Sequence, residues 1–153
     1  MPAPGASQIE SPASGFLKGA GLQGEDIPGL AAAIANTTGQ ALTMFLSQAM
    51  VMPGIPVAAD PITGSGASAG PGKLMPPPAG GPGASQLEGL ASSQCQAQGL
   101  RGEDADGLAK AIAGTIAQGI ALFCAQTMVM PGIAVAAPMA AGDTSRYAAL
   151  AAM

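Results

Sequence analysis

Two cysteines and a few acidic residues are the side chains whose types and spacing most suggest chemistry. The thiols are Cys95 and Cys124, and the acidic groups cluster at Glu25–Asp26, Glu103–Asp104 and Asp106. The sequence contains no histidine, so it lacks the commonest general base, and its many serines have no candidate base to activate them. We therefore expect a protein that is not an enzyme.

The same residues are poor candidates for a metal or phosphate site. Two cysteines without histidine are too few ligands for zinc, and the acidic clusters lack further oxygen ligands at useful spacing. The stretch Gly64–Gly66 is not followed by the Lys-Ser/Thr pair of a phosphate-binding loop. We expect no cofactor and no metal, and we interpret the acidic clusters as helix starts.

The chain contains two tandem copies of one sequence unit. Residues 4–59 align with residues 82–137 at a constant offset of 78 without a gap, and 32 of the 56 aligned positions are identical. Such a duplication predicts an internal pseudo-symmetry and favours paired or ring-like packing. The predicted organisation is a first repeat unit (1–59), a Gly/Pro/Ser-rich linker (60–81), a second repeat unit (82–137) and a C-terminal tail (138–153).

Each unit contains one long predicted helix. An acidic pair precedes an uncharged apolar run in both copies, which is typical of a helix start because carboxylates can cap free N–H groups and face the positive end of the helix dipole. The helices are predicted over Ile27–Met52 and Ala105–Met130. Each ends before Pro-Gly, because proline cannot continue a helix.

The segments around these helices predict coil and extended chain. Ser7–Leu17 and Ser85–Cys95 are predicted as loops with at most a short helical turn. Short strands are predicted at Ile55–Val57 and Ile133–Val135, and a short Ala-rich helix at Thr144–Met153. The predicted fold class is mainly α with extensive Gly/Pro-rich coil, as two tandem copies of loop, long helix, Pro-Gly stop and short strand.

Small residues recur at every fourth position along both predicted helices. A seam of this kind lets another helix approach at short axial distance, so we predict that it packs against a helix. Its members are Ala31, Ala35 and Gly39 in the first copy and Ala109, Ala113, Ala117, Ala121 and Ala125 in the second.

Glutamines lie at matched positions of the two helices, Gln40 and Gln48 in the first and Gln118 and Gln126 in the second. Amides in an apolar helix need hydrogen-bond partners. They could be buried between helices and fix their register, line an aqueous lumen, or lie on a wet outer face.

The cysteines align with Leu17 and Leu46 of the first copy, which predicts that both occupy packed apolar positions. If Leu17 contacts Leu46, then Cys95 and Cys124 are neighbours and form a candidate disulfide. Two buried free thiols are the alternative, and they are favoured in a cytoplasmic protein.

The composition restricts the class of protein further. Only 9% of the residues are charged against 48% apolar, and the net charge is −4. Because no basic run is present, we expect no direct nucleic-acid binding. The N-terminal segment has no basic stretch or apolar core, so we expect synthesis in the cytoplasm without a signal peptide.

So little charge on an apolar chain favours stability within a larger assembly. The predicted function is a structural subunit of a multi-copy particle, resident in a virion of a tailed phage or in a phage-like injection particle. Its partners are expected to be copies of itself and other assembly proteins, with the linker segment Asp60–Gly83 lying over a neighbouring chain. The overall character is similar to that of small virion assembly proteins.

Two alternatives stay open. A membrane-active or pore-forming protein could use the uncharged runs Gly29–Ala59 and Ala111–Ala141, which are long enough to span a bilayer. The many polar side chains within the first run disfavour it. A secreted adaptor is the third possibility.

Overall fold

The computed structural model describes residues 4–22, 24–60 and 63–136. They form a mainly helical structure with short strands, which confirms the predicted fold class at this level. The helices are α1 (Ala6–Gly19), α2 (Ile27–Gln48), α3 (Ala84–Ala97) and α4 (Ala105–Gln126). The strands are β1 (Val57–Ala59), β2 (Ser65–Ser68), β3 (Gly72–Lys73), β4 (Met128–Val129) and β5 (Ala134–Ala136). The predicted helix at Thr144–Met153 and the tail 138–153 lie outside the described residues.

Two of the helices occupy segments that the sequence predicted as loops. The prediction for Ser7–Leu17 and Ser85–Cys95 is wrong, because α1 and α3 cover them as helices of 14 residues each. Pro12 lies inside α1 and removes one intrahelical hydrogen-bond donor. The helix continues through it because α1 packs lengthwise on α2, and tertiary packing overrides a weak local propensity.

A glutamine closes the first turn of each of these two helices. The Gly5 N–H donates to Gln8 Oε1 at 3.2 Å, and the Gly83 N–H donates to Gln86 Oε1 at 3.1 Å. The glutamine thereby satisfies the backbone donor of the residue that precedes the helix, as in the reciprocal half of a capping box.

The long helices begin at Ile27 and Ala105 as predicted, but they end at Gln48 and Gln126, four residues before the predicted ends. The chain turns extended there because the residues that follow pair with the linker. Val51 forms a bridge with Leu74, and β4 pairs antiparallel with β3.

The linker contributes a strand to each of the two small sheets. In one sheet β2 lies between β1 and β5 and is antiparallel to each. Ser68 of β2 extends this link, because its hydroxyl accepts hydrogen bonds from the Gly132 and Ile133 N–H groups at 3.1 and 3.0 Å. The linker therefore joins the segments that follow α2 and α4 within one chain, and its predicted contact with a neighbouring chain stays a prediction.

The helices pack in chain order. The pairs α1–α2, α3–α4 and α2–α3 pack together, and α2 makes a smaller contact with α4. One buried apolar cluster is shared by α2, α3 and α4 and contains no residue of α1. Its members are Ala33, Ala41, Phe45, Leu87, Ala91, Cys95, Ala109, Ile112, Ala113, Ile120 and Cys124.

Candidate functional site

The acidic clusters stay on the surface. Glu25–Asp26, Glu103–Asp104 and Asp106 are all exposed. Asp26 and Asp104 precede α2 and α4, but neither side chain makes a capping hydrogen bond. The predicted capping hydrogen bonds from these side chains are therefore wrong. The carboxylates still lie at the positive end of each helix dipole, which is a favourable position for a negative charge. Among the described residues, no group of three or more His, Cys, Asp or Glu side chains could hold a metal ion.

Both cysteines are buried and free. Cys95 and Cys124 are each 1% exposed and belong to the same core cluster, so the predicted burial is confirmed. The candidate disulfide between them is not formed, and the alternative of two buried free thiols describes the structure. Burial raises the pKa of both thiols above the ordinary value, which disfavours the reactive thiolate.

Slow labelling of these thiols is the expected consequence. In the native protein at pH 7.5, a bulky maleimide should label Cys95 and Cys124 far more slowly than in urea, because access is blocked and the raised pKa lowers the thiolate fraction. Mass spectrometry of a labelling time course measures both rates. Rapid labelling of both thiols in the folded chain would contradict the core position.

The small-residue seam of α2 lies against α1. Ala31 and Ala35 are 1% exposed and Gly39 is buried. An ideal Cβ placed on Gly39 would lie 3.4 Å from the backbone nitrogen of Ala6. The seam therefore lets the first turn of α1 approach the backbone of α2 closely.

The seam of α4 is only partly covered. Ala109 and Ala113 are buried and Ala117 is half-buried, whereas Ala121 and Ala125 are exposed. The reason is length: α3 has 14 residues and α4 has 22, so a helix of about 21 Å lies beside one of about 33 Å. The predicted seam is thus a packing surface in its first half and an exposed surface in its second.

A leucine in the covered half should destabilise the fold. Ala117 packs against the core cluster, so Ala117→Leu should overpack that contact and lower the free energy of unfolding by about 1–3 kcal/mol. The matched control is Ala125→Leu on the exposed half, where alanine and leucine have similar helix propensity and little should change. Urea denaturation of the two variants measures the difference, and equal midpoints would contradict the assignment.

The four glutamines are on the outside of this chain. Gln40, Gln48, Gln118 and Gln126 are all exposed, so the prediction that they are buried between helices is wrong within one chain. The helix faces that carry these glutamines are exposed to solvent unless another chain covers them. Their role at an interface or a lumen stays a prediction.

A second row of small residues, which the sequence analysis missed, packs α2 against α3. We call Gly29, Ala33, Thr37 and Ala41 the second row of α2. Ala33, Thr37 and Ala41 are 0% exposed, and an ideal Cβ on Gly29 would lie 3.2 Å from the Gln98 carbonyl oxygen. Three of the four residues are identical at the aligned positions of the second copy, which is the signal that could have identified this row.

Large apolar side chains remain exposed around the molecule. Phe16 is 79% exposed and Met130 is 77% exposed. The others lie mainly near the ends of α2 and α4 and in the extended segments that follow them: Leu22, Leu46, Met50, Met52, Leu122, Phe123, Met128 and Ile133. Scattered apolar residues are normal on a protein surface, but a set of this size on a chain with 5 basic and 9 acidic residues favours a covering partner.

One described helix, α4, is long and apolar enough to cross a membrane by length and composition, and 28% of its most apolar stretch is buried within the chain. A core helix of a soluble protein passes the same test.

No protein-family model, curated protein sequence or solved structure matches the chain.

Proposed function

We propose that this chain is a structural subunit of a multi-copy protein assembly, and that it acts through helix packing. The observation that carries the proposal is the exposed apolar surface. Ten large apolar side chains are exposed among the described residues, and only 9% of the residues in the sequence are charged. Large apolar patches are rare on soluble monomers and mark surfaces that another molecule covers.

The proposal includes a duplicated structural unit. Helices α1 and α3 have equal lengths, as do α2 and α4, and each pair begins and ends at positions 78 residues apart. We propose that each unit is a helical hairpin followed by a Pro-Gly turn and a short strand, with the linker joining the two. Repeated units that contact only their neighbours suit arrays and rings.

Within the class of assemblies, we propose a virion of a tailed phage or a phage-like injection particle. In such particles, small subunits are held by repeated contacts between copies and by contacts with other assembly proteins, rather than by a catalytic site. The absence of candidate catalytic groups from the sequence supports a structural role, because the chain has no histidine and its two thiols are buried.

A membrane-active or pore-forming protein is the second candidate, and it is favoured by α4, whose length and hydropathy allow a membrane span. The structure also gives a reason against it. Ala109, Ile112, Ala113 and Ile120 of α4 are already buried in the core of this chain, so insertion would require α4 to leave that core.

Native mass spectrometry with and without detergent distinguishes the two candidates. A structural subunit should give oligomers well above the 14.6 kDa of one chain in aqueous buffer alone. Detergent should not be needed for solubility. Precipitation that only detergent or lipid vesicles relieve would refute the assembly proposal and support the membrane candidate.

A further inference from the structure

The two units of this chain contact each other asymmetrically. The second row of α2 packs against α3, whereas the corresponding pair, α1 and α4, is not packed together in the described part of the chain. A two-fold relation between the units would produce both contacts. The internal contact is therefore heterologous, meaning that two different surfaces meet, and such contacts can continue from molecule to molecule.

Helix α4 carries an unoccupied counterpart of the second row of α2. We call Gly107, Ala111, Thr115 and Gly119 the second row of α4, and all four residues are exposed. An ideal Cβ on Gly107 or Gly119 would meet no atom within 4 Å. This row thus has small side chains like those of its buried counterpart, and no helix lies against it among the described residues.

The threonine in each row has the same local geometry. Thr37 Oγ1 donates to the Ala33 carbonyl oxygen at 2.7 Å, and Thr115 Oγ1 donates to the Ala111 carbonyl oxygen at 2.8 Å. In both helices the hydroxyl hydrogen bond is made within the helix itself. Thr115 can therefore be buried against a neighbour, as Thr37 is, without leaving its hydroxyl unsatisfied.

Helix α1 carries the complementary unoccupied surface. On α3, Leu87 and Ala91 are 0% exposed, whereas their counterparts Ile9 and Ala13 on α1 are only half-buried. Phe16, next on the same helix, is 79% exposed. Helix α1 therefore leaves uncovered an apolar surface that α3 buries.

From these two open surfaces we infer that the second row of α4 binds α1 of a second copy of this chain, repeating between molecules the packing of α2 on α3. The inference rests on the proposed function, and it adds the surfaces and the partner. The residues named for the two surfaces are uncharged, and the charged residues Glu10 and Lys110 lie next to them in the chain. Repetition of one heterologous contact gives a closed ring or an open filament, depending on whether the rotation between copies closes.

A matched pair of leucine substitutions on α4 tests the surface. Ala111 and Ala121 are both exposed alanines of α4, but the counterpart of Ala111 is the buried Ala33 and the counterpart of Ala121 is the exposed Thr43. Ala111→Leu should therefore weaken self-association by about tenfold or more, whereas Ala121→Leu should leave it unchanged. Analytical ultracentrifugation over a dilution series measures the difference. Equal association of the two variants would overturn the inference.

An engineered cross-link tests the pairing of the surfaces directly. Within the chain, an ideal Cβ on Gly29 would lie 3.6 Å from the Cβ of Gln98, inside the range of about 3.5–4.5 Å found in disulfides. The corresponding positions between two copies are Gly107 on one and Ala20 on the other. The double variant Gly107→Cys, Ala20→Cys should give a ladder of covalent multimers on oxidation, whereas Gly29→Cys, Gln98→Cys should give a cross-linked monomer.

A mixture of two single variants, Gly107→Cys and Ala20→Cys, completes the test. On oxidation the mixture should form covalent dimers that contain one chain of each variant. Oligomers that give no ladder would overturn this contact and leave the proposed assembly standing. A monomer at every concentration would refute both. If Ala111→Leu destabilises a monomer, another part of the same chain covers α4, and the inference is overturned. If the ladder of cross-linked multimers forms only with lipid vesicles, the contact requires a membrane, and the inference is likewise overturned.

Discussion

Replacing Phe45 with alanine should lower the free energy of unfolding by about 3–5 kcal/mol, the usual loss for a buried phenylalanine. Phe45 is 4% exposed and belongs to the core cluster. Its ring meets the edge of Phe123 with centroids 5.9 Å apart at 87°, and an ideal Cβ on Gly81 would lie 2.9 Å from its Cδ2 atom. The side chain thus joins α2, α4 and the end of the linker, so its removal leaves a cavity among all three.

The aligned phenylalanine of the second copy supplies the control. Phe123 is 53% exposed, so Phe123→Ala should lose the ring pair and little buried area, at a cost of about 0.5–1.5 kcal/mol. Urea denaturation followed by circular dichroism measures both variants. Equal losses at the two positions would contradict the difference in burial between Phe45 and Phe123.

Replacing Gly66 with alanine should disrupt the sheet that the linker organises. Gly66 lies in the middle of β2, and an ideal Cβ there would meet the Ala58 carbonyl oxygen and lie 2.5 Å from the Cα of Ala59. Both are backbone atoms of β1, so the clash can be relieved only by separating the strands. We expect a loss of about 1–3 kcal/mol or more, with faster exchange of the Asp60 amide, which donates to the Ser65 carbonyl oxygen at 2.9 Å.

Gly102→Ala is the matched control, because an ideal Cβ on Gly102 would meet nothing within 4 Å and the residue is exposed. Its stability should stay within about 0.5 kcal/mol of the parent protein. Hydrogen exchange read by mass spectrometry compares the two variants. Unchanged protection of β1 in Gly66→Ala would mean that β2 does not pair with β1 as described.

The sequence predicted features that depend on local signals. The starts of α2 and α4 follow from the acidic pairs and the apolar runs after them, and they lie where predicted, at Ile27 and Ala105. The ends were placed four residues too late because the segments after Gln48 and Gln126 pair with the linker, which is distant in sequence. Local patterns contain no information about such a partner.

Packing between elements explains the other differences. Pro12 and the small polar residues around it weaken the helical signal of α1, and only contact with α2 shows why the helix forms. The seam at Ala31 and Ala35 was predictable from spacing, whereas the second row beginning at Gly29 required knowledge of which neighbour faces it. Exposure of the glutamines likewise depends on which helix faces remain uncovered.

Sedimentation velocity of the unmodified chain at micromolar concentration, without detergent or partner, tests the central claim most directly. The exposed apolar side chains and the open surfaces of α1 and α4 predict sedimentation as oligomers, with little material at the 14.6 kDa of one chain. A stable, soluble monomer under these conditions would contradict the proposed structural function.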